Sequence, residues 1–212
     1  DGLVGYIQKR YLTDEQVVML DIASKNDGFI SLVRDHKICM VWHQVTSVAQ
    51  NDNISSRLAQ TKGINVVSPT WFYIADGSGS ITSLASSAYV EYVHGLGMEV
   101  WGLVDNFTTP DLPMSEILGS ASTRAHMIDQ LIQYATEYSL DGINVDFEEL
   151  GEDTGESFVQ FIRELALRCH ENNLVLSVDN HVPYQFNSFY NMEEQSAFAD
   201  YIIMMSYDEH LN

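Results

Sequence analysis

The chain has 212 residues, of which 45% are hydrophobic and 19% charged, and this balance excludes an intrinsically disordered protein. Its 30 acidic residues outweigh 10 lysines and arginines, which gives a formal net charge of −20 at pH 7. Such a charge repels nucleic acids and anionic membrane surfaces, so neutral or cationic partners are favoured. No apolar run reaches the roughly 18 residues that a bilayer-spanning helix needs. No signal peptide is visible, but the chain begins at Asp1 rather than Met, so this says nothing about secretion.

Residues 1–37 differ in pattern from the rest of the chain. The first seven residues predict a turn and a short strand, and a mixed polar stretch then continues to Lys37. This segment resembles the last strands of a bacterial SH3-like wall-binding module. We therefore expect residues 1–37 to be the tail of a small module plus a linker, followed by a second domain at 38–212.

The two cysteines, Cys39 and Cys169, show neither metal-ligand spacing nor a CxxC pattern. Two buried thiols are therefore favoured over one long-range disulfide.

From residue 38 onward, apolar β-branched runs alternate with segments of helical period, which predicts parallel strands joined by right-handed crossovers. The predicted strands are 38–45, 64–72, 99–107, 141–148, 174–182 and 201–207. The predicted helices are 54–62, 84–96, 122–138, with Ser122 as its N-cap, 154–171 and 192–199. The first strand is followed by Thr46 and Ser47 rather than by a glycine-rich turn. This favours a parallel α/β barrel of the TIM type over an open doubly wound sheet.

Only six βα units can be placed in residues 38–212, whereas a complete TIM-type barrel has eight. The sequence therefore predicts an incomplete, C-terminally truncated barrel whose first and sixth strands are open edges. We expect the chain to be a fragment of a longer protein and to be less active than its parent.

The fourth predicted strand carries Asn144, Asp146 and Glu148 with apolar residues between them. Since side chains two apart share one side of a strand, these three polar groups face the barrel interior. Glu148 lies nearest to the C-terminal rim, where barrel active sites are found. Repulsion and burial raise carboxyl pKa values, and a raised pKa suits a general acid. A solvated edge strand and a structural ion network are the alternatives; few lysines or arginines are available for the second.

The pattern Asp141-x-x-Asn144-x-Asp146-x-Glu148 resembles the Asp-x-x-Asp-x-Asp-x-Glu signature of glycoside hydrolase family 18, the chitinase-like barrels. Asn144 is the one departure, because the family usually has Asp at that position. An Asn cannot titrate, so we expect the acid limb of the pH–rate profile to lack the coupled ionisation that an Asp would add.

A second motif lies on the sixth strand, where Met205-Ser206-Tyr207-Asp208 resembles the family's Met-x-Tyr-Asp. The segments 68–72 and 101–107 look like the cell-wall and spore-cortex lytic branch of Gram-positive bacteria. The Ser-x-Gly-Gly common on the third strand of true chitinases is absent from this sequence, which makes chitin a less favoured substrate.

The resemblance implies a glycosidase that cleaves β-1,4 linkages next to N-acetylglucosamine by a substrate-assisted retaining mechanism. Glu148 would be the general acid and base, Asp146 would stabilise the substrate's acetamido N–H, and Tyr207 would hold the acetamido oxygen. Asn144 would hydrogen-bond Asp146, and Asp208 would contact the sugar or the acid. No metal or other cofactor is needed, and the protein would act outside the cell, at a cell wall or on spores.

Other residues are candidates for substrate binding because they belong to the two motifs or fall near strand ends. The substrate-binding set adds Met205, Asp141, Asn106, Asn180 and Trp71 to Asn144 and Asp208. Asp105, Asp179 and His181 could also line the cleft. Trp101 and Phe107, like Trp71, could stack on sugar rings, although core packing is the better interpretation for each aromatic residue.

Two other functions stay open at this level. A lectin-like member of the same fold would bind carbohydrate without cleaving it, and the family expects a tryptophan from the final strand that this chain does not supply. A metal-dependent hydrolase could use Asp146, Glu148, Asp208 and His210 as ligands, although no HxH or HExxH motif is present. The sequence does not separate peptidoglycan from chitin, exo from endo cleavage, or one oligomeric state from another.

Overall fold

The computed structural model describes residues 31–208. The prediction of an SH3-like segment falls mainly on residues 1–30, and His210 follows residue 208, so both lie outside the described residues. Six parallel strands in the order β1-β2-β4-β5-β6-β7 form one sheet, and a short strand, β3, pairs antiparallel with β2. The strands are β1 (Met40–His43), β2 (Val66–Ile74), β3 (Ile81–Ser83), β4 (Glu99–Asp105), β5 (Gly142–Asp146), β6 (Val175–His181) and β7 (Tyr201–Met205).

Helices alternate with these strands, which confirms the predicted α/β architecture of a partial TIM-type barrel. They are α1 (Ile54–Leu58), α2 (Ser87–Gly95), α3 (Met114–Gly119), α4 (Ala121–Glu137), α5 (Gly155–Glu171) and α6 (Met192–Ser196). In the described part of the chain, β1 pairs only with β2 and β7 only with β6. The expected open edges are therefore present between 31 and 208.

Local differences from the prediction have side-chain causes. The helix predicted over 54–62 ends at Leu58, because both the amide and the hydroxyl of Thr61 bond to the Leu58 carbonyl. The N-cap of α4 is Ser120 rather than Ser122, since the Ser120 hydroxyl accepts a hydrogen bond from the Thr123 amide at 3.3 Å. Helix α3 and strand β3 were not predicted, and both are too short to show a clear period.

The outer face of the sheet packs against apolar helix faces. Phe147, just after β5, stacks on Phe161 of α5 with ring centroids 5.4 Å apart, and Phe158 lies beside it. All three side chains are at most 1% exposed. The predicted apolar face of α5 is thus the face that covers the sheet, and it leaves the opposite side of β5 to the barrel interior.

The cysteine prediction is half right. Both thiols are free, and Cys169 is buried in α5, but Cys39 is exposed. Cys39 lies one residue before the edge strand β1, where no helix covers the backbone. In the described residues, no helix is both long and apolar enough to cross a membrane.

A buried carboxylate holds the N-terminal end of the sheet together. Asp200, directly before β7, accepts hydrogen bonds from the Ser31 hydroxyl and the Leu32 amide on one oxygen. Its Oδ2 accepts from the Leu176 amide of β6, and His170 Nε2 lies 3.0 Å from Oδ1 and 3.2 Å from Oδ2. One side chain therefore connects residues 31–32, α5 and β6.

We expect Asp200→Ala to lower the free energy of unfolding by about 3–5 kcal/mol, because it leaves several buried donors without an acceptor. Denaturant-induced unfolding followed by circular dichroism measures this change. The matched control is Asp129→Ala, which removes a carboxylate that is 62% exposed and pairs with Arg168 at the surface. That variant should change stability by at most about 1 kcal/mol. Equal effects of the two variants would contradict the assigned role of Asp200.

Candidate active site

Asn144 lies at the centre of a hydrogen-bond network that crosses the barrel interior. Its side-chain oxygen accepts from the indole N–H of Trp42 on β1 at 3.1 Å and from the hydroxyl of Ser68 on β2 at 3.0 Å. Its amide group donates to Asp179 on β6 at 3.0 Å. Asn144 is 0% exposed. The polar face of β5 therefore points inward, as the alternation of the sequence predicts.

The expected hydrogen bond from Asn144 to Asp146 is absent from the described contacts, and the amide of Asn144 donates to Asp179 instead. Residues two apart on one strand are separated by roughly 6–7 Å along the backbone, so a short side chain does not span the gap. A residue on the neighbouring strand lies closer. The expectation was wrong because it considered only β5.

Asp146 is buried, at 9% exposure, and its Oδ1 has no hydrogen-bond partner within the described part of the chain. Burial raises the pKa of Asp146 to about 8, and the negative charges of Asp179, Glu148 and Asp105 add to this effect. The result is a carboxyl whose protonated form is favoured at neutral pH and whose buried Oδ1 is bound by no group in the described part of the chain.

Asp179 is the second buried carboxyl of the interior, at 1% exposure. Burial raises its pKa to about 7, and the charge of Glu148 acts in the same direction. Hydrogen bonds from Asn144 and Trp42 to its two oxygens oppose the rise. The interior therefore holds two carboxyls whose pKa values both lie well above the ordinary value for Asp.

Glu148 lies two residues beyond the end of β5, at the C-terminal rim of the sheet. Its side chain is 31% exposed, and its Oε2 lies 3.6 Å from Nε2 of His181 at the end of β6. The backbone of Glu148 is held by Asn106, whose Oδ1 accepts from the Glu148 amide at 2.8 Å and whose Nδ2 donates to the Glu148 carbonyl at 2.9 Å. A solvent-accessible carboxyl thus projects from a backbone that is fixed on both sides.

Tyr207 and Met205 lie at the other edge of the sheet. Met205 is buried at the end of β7, whereas Tyr207, in the 3₁₀ turn Ser206–Asp208, is 65% exposed. The Tyr207 ring meets the Trp42 ring edge-on, with centroids 6.2 Å apart. Since Trp42 belongs to β1 and Tyr207 follows β7, this contact joins the two edge strands beside Asn144 and Asp179.

Two of the proposed substrate-binding residues, Asp141 and Asn180, are engaged elsewhere. Asp141 precedes β5, at the end of the strand opposite Glu148, and accepts from the Val100 amide and His94 Nε2 at 2.8 Å. Asn180 faces α6, where it exchanges two hydrogen bonds with Gln195. The structure does not bring either side chain to Glu148.

Two of the aromatic candidates, Trp71 and Trp101, are also engaged away from Glu148. Trp71 is fully buried on the helix side of β2, next to Tyr89, and donates its indole N–H to Asn51. Trp101 is also fully buried and contacts Tyr201 near the start of β7. Neither ring is available to a ligand, as the core-packing interpretation predicts.

Phe107, by contrast, is 48% exposed just after β4. Asp105 at the end of β4 accepts hydrogen bonds from the amide and hydroxyl of Thr108 and faces the interior beside Asp146. Trp42 and Ser68 belong to the interior network but were not singled out as functional. The usable signal was the two-residue period of β1 and β2, applied to polar residues in otherwise apolar strands.

A cavity of about 500 Å³ opens next to the rim. Its lining is mostly apolar and aromatic, and includes His181, Tyr184, Phe186, Phe189 and Met205. Tyr184 and Phe186 stack with centroids 5.6 Å apart and are 55% and 79% exposed. Since His181 also contacts Glu148, the cavity and the exposed carboxyl share one wall.

The raised pKa of Asp146 predicts how stability depends on pH. Between its ordinary value of 3.8 and its folded value of about 8, the folded state binds a proton that the unfolded state has lost. Stability therefore falls as the pH rises through this range, by on the order of a few kcal/mol. In Asp146→Asn the fall should be much smaller, as urea unfolding between pH 5 and pH 8.5 can measure. Parallel curves for the two proteins would contradict the assignment, and Asp129→Asn controls for the lost surface charge.

A family profile and a curated relative match this chain in sequence. The family profile described as "Glycosyl hydrolases family 18" matches residues 107–212, half of the chain. A curated relative, "Uncharacterized glycosylase YvbX" of Bacillus subtilis, is 24% identical over 145 residues, which cover 63% of this chain and 42% of the relative.

Two solved structures share the fold. The C-terminal domain of a putative chitinase from Desulfitobacterium hafniense superposes with a TM-score of 0.71 at 20% identity, over 82% of this chain and 56% of that one. The Bacillus cereus spore cortex-lytic enzyme SleL gives 0.69 at 18% identity, over 81% and 41%. The chain thus spans about half the length of the proteins it matches.

The family match covers β5, with its row of interior polar residues, and extends through the turn that carries Tyr207. The chain therefore belongs to family 18 of the glycosyl hydrolases.

Proposed function

We propose that the protein is a glycoside hydrolase that cleaves β-1,4 linkages next to N-acetylglucosamine, in peptidoglycan or a chitin-type polymer. The observation that carries this proposal is the pair of carboxyls on one face of β5 and its extension. Asp146 is buried and protonated at neutral pH, whereas Glu148 is partly exposed at the rim. Two neighbouring carboxyls in such different environments are suited to different steps of one reaction.

In the proposed reaction, Glu148 gives its proton to the glycosidic oxygen as the bond from that oxygen to the anomeric carbon breaks. The oxygen of the substrate's own 2-acetamido group forms a bond to the anomeric carbon, and a cyclic oxazolinium ion results. Water then attacks the anomeric carbon, Glu148 takes up the water proton, and the ring opens. The protonated form of Glu148 is regenerated, the anomeric carbon keeps its configuration, and no cofactor is consumed.

Asp146 and Tyr207 would position the acetamido group. The unpartnered Oδ1 of Asp146 is a suitable acceptor for the acetamido N–H. Once its proton has passed to the neighbouring interior carboxyl, Asp146 would stabilise the positive charge that develops there. The hydroxyl of Tyr207 would bind the acetamido oxygen and hold it in line with the anomeric carbon. Asp208 follows Tyr207 and would contact the sugar or the acid.

The charge of the interior and the similar proteins both support one proposed substrate class. The interior carries several carboxyls, which suits an uncharged sugar whose reaction passes through a cation. Among the similar proteins, one is called a putative chitinase and another a spore cortex-lytic enzyme. We therefore propose N-acetylglucosamine-containing polysaccharides as substrates, and the cell wall or the extracellular space as the place of action.

We expect Glu148→Gln to abolish hydrolysis while sugar binding persists. The amide keeps the shape of the side chain but has no proton to transfer, and general acid catalysis contributes about 10²–10⁴-fold or more. The assay measures turnover of a chromogenic N-acetylglucosaminide and release of new reducing ends from peptidoglycan and chitin oligomers. An exposed carboxyl outside the cavity provides the control, because Glu152→Gln should retain activity.

Each competing function gives a different result in the same assay. Binding of oligosaccharides by the wild-type protein without any hydrolysis would indicate a lectin. Loss of activity on exhaustive chelation would indicate a metal-dependent hydrolase. In the described part of the chain, no group of three or more His, Cys, Asp or Glu side chains is arranged to hold a metal ion.

We also expect Asn106→Ala to lower kcat by about tenfold or more with little change in KM, because Glu148 loses the two backbone hydrogen bonds that fix its position. Asn180→Ala is a matched control. Asn180 is as deeply buried and is likewise paired through its amide, but to Gln195 on the helix side of β6. Both variants should lose stability, and only Asn106→Ala should lose kcat in the folded protein. Equal kcat values would remove Asn106 from the positioning of Glu148.

A further inference from the structure

Asp179 is a buried carboxyl that the proposed reaction does not use. Its Oδ1 accepts from the Asn144 amide at 3.0 Å and its Oδ2 from the Trp42 indole at 3.2 Å. No lysine, arginine or histidine forms an ion pair with it in the described part of the chain, and it is 1% exposed. Burying a carboxyl beside neutral donors alone is costly. An apolar residue would fit the interior at lower cost, so the carboxyl needs another explanation.

The explanation lies in Asn144, the residue whose amide faces Asp179. Asn144 occupies the position where the family signature has a carboxylate, two residues before Asp146 on the same face of β5. The amide of Asn144 donates directly to Asp179 on the next strand. The negative charge that position 144 lacks is therefore present one strand away, and its field acts on Asp146.

We propose that Asp179 is a positioning residue, the charge partner of Asp146, supplied from β6 in place of a carboxylate at position 144. Asn144 and Trp42 hold Asp179 in this place through one hydrogen bond to each oxygen. This inference rests on the role of Asp146 in the proposed function.

The groups around Asp179 make it a suitable partner. Asp146 at the end of β5 and Glu148 just beyond it face Asp179, and Asp105 faces the same interior from β4. His181 lies two residues further along β6 itself. Trp42 and Asn144, which hydrogen-bond to Asp179, are neutral, as is Ile203, which lies in register on β7.

With no positive charge among its bonded partners, Asp179 makes it harder for Asp146 to ionise, and the two buried carboxyls together retain a proton near neutral pH. When positive charge develops on the acetamido group, the proton that the pair shares can pass to Asp179, so that Asp146 ionises against the cation and the pair keeps one negative charge. The pair thus responds to the charge of the reaction intermediate.

The test moves the carboxyl between strands. Asp179→Asn removes the charge and keeps the shape, and Asn144→Asp combined with Asp179→Asn places one carboxyl back on β5. We expect Asp179→Asn to lower kcat by about tenfold or more, with KM changed by less than about threefold. The limb of the pH–rate profile that Asp146 controls should move to lower pH. The double variant should regain most of the lost kcat and the original limb. Asp129→Asn controls for the change in net charge.

A titration that needs no turnover separates this inference from the proposed function. Carbon-13 NMR of the Asp146 carboxyl is followed in Glu148→Gln, with and without Asp179→Asn. We expect the Asp146 titration to move to lower pH when Asp179 is replaced. An unchanged titration would overturn the charge partnership, whatever the activity. A shifted titration in a protein that hydrolyses no polysaccharide would support the partnership and reject the proposed function.

If Asp179→Asn fails to fold, Asn144→Asp alone serves as the second variant. It adds a further carboxyl beside Asp179 and should move the Asp146 titration to higher pH. An unchanged Asp146 titration in this variant would likewise overturn the proposal.

Discussion

The cost of burying carboxyl groups without cations governs the interior of this sheet. Asp105, Asp146 and Asp179 each have a pKa above the ordinary value, and in all three burial is the largest cause. In the described residues, the interior groups that bond to these carboxyls are neutral amides, hydroxyls and an indole. Neutral donors satisfy hydrogen bonds but do not cancel charge, so the protonated form of each carboxyl is favoured more than in an exposed Asp. Carboxyls with raised pKa values are suited to acid–base chemistry.

The geometry of β5 places two carboxyls, those of Asp146 and Glu148, in different environments. Asn144 and Asp146 are within β5, where neighbouring strands and helices bury them, whereas Glu148 lies beyond the strand end and is partly exposed. The same two-residue step that places them on one face also moves them from the interior to the rim. Asn106 fixes the last step by binding both backbone groups of Glu148. Burial and backbone support, rather than residue type, thus distinguish the two carboxyls.

Much of this arrangement follows from the sequence, because parallel strands and their two-residue period are local properties. The six strands and the inward polar face of β5 were predicted on that basis. The partners of the interior groups could not be predicted, since they depend on neighbouring strands. Asn144 was expected to bind along its own strand and instead binds across to Asp179.

The same reasoning explains which candidates moved away from the site. Asp141 was grouped with Glu148 because both belong to the signature motif, although Asp141 lies at the opposite end of β5. Adjacent residues on one strand face opposite sides, so Asp179 and His181 point inward whereas Asn180 faces Gln195. Counting alternate positions back from His181 would have distinguished the inward side chain of Asp179 from the outward side chain of Asn180. For Trp71, a register shift in β2 between Thr70 and Phe72 disturbs even that count.

Trp42 links the interior network to the edge that carries Tyr207. Its indole N–H is shared between Asn144 and Asp179, which fixes the plane of the ring. The ring then meets Tyr207 edge-on across the open edges of β1 and β7. The position of the exposed tyrosine is therefore coupled to the buried carboxyl through one side chain. A change in the charge of Asp179 alters the acceptor that holds Trp42, and through Trp42 it reaches the residue proposed to orient the substrate. The interior network thus contributes to the raised pKa of Asp146 through Asp179 and contacts the Tyr207 ring through Trp42.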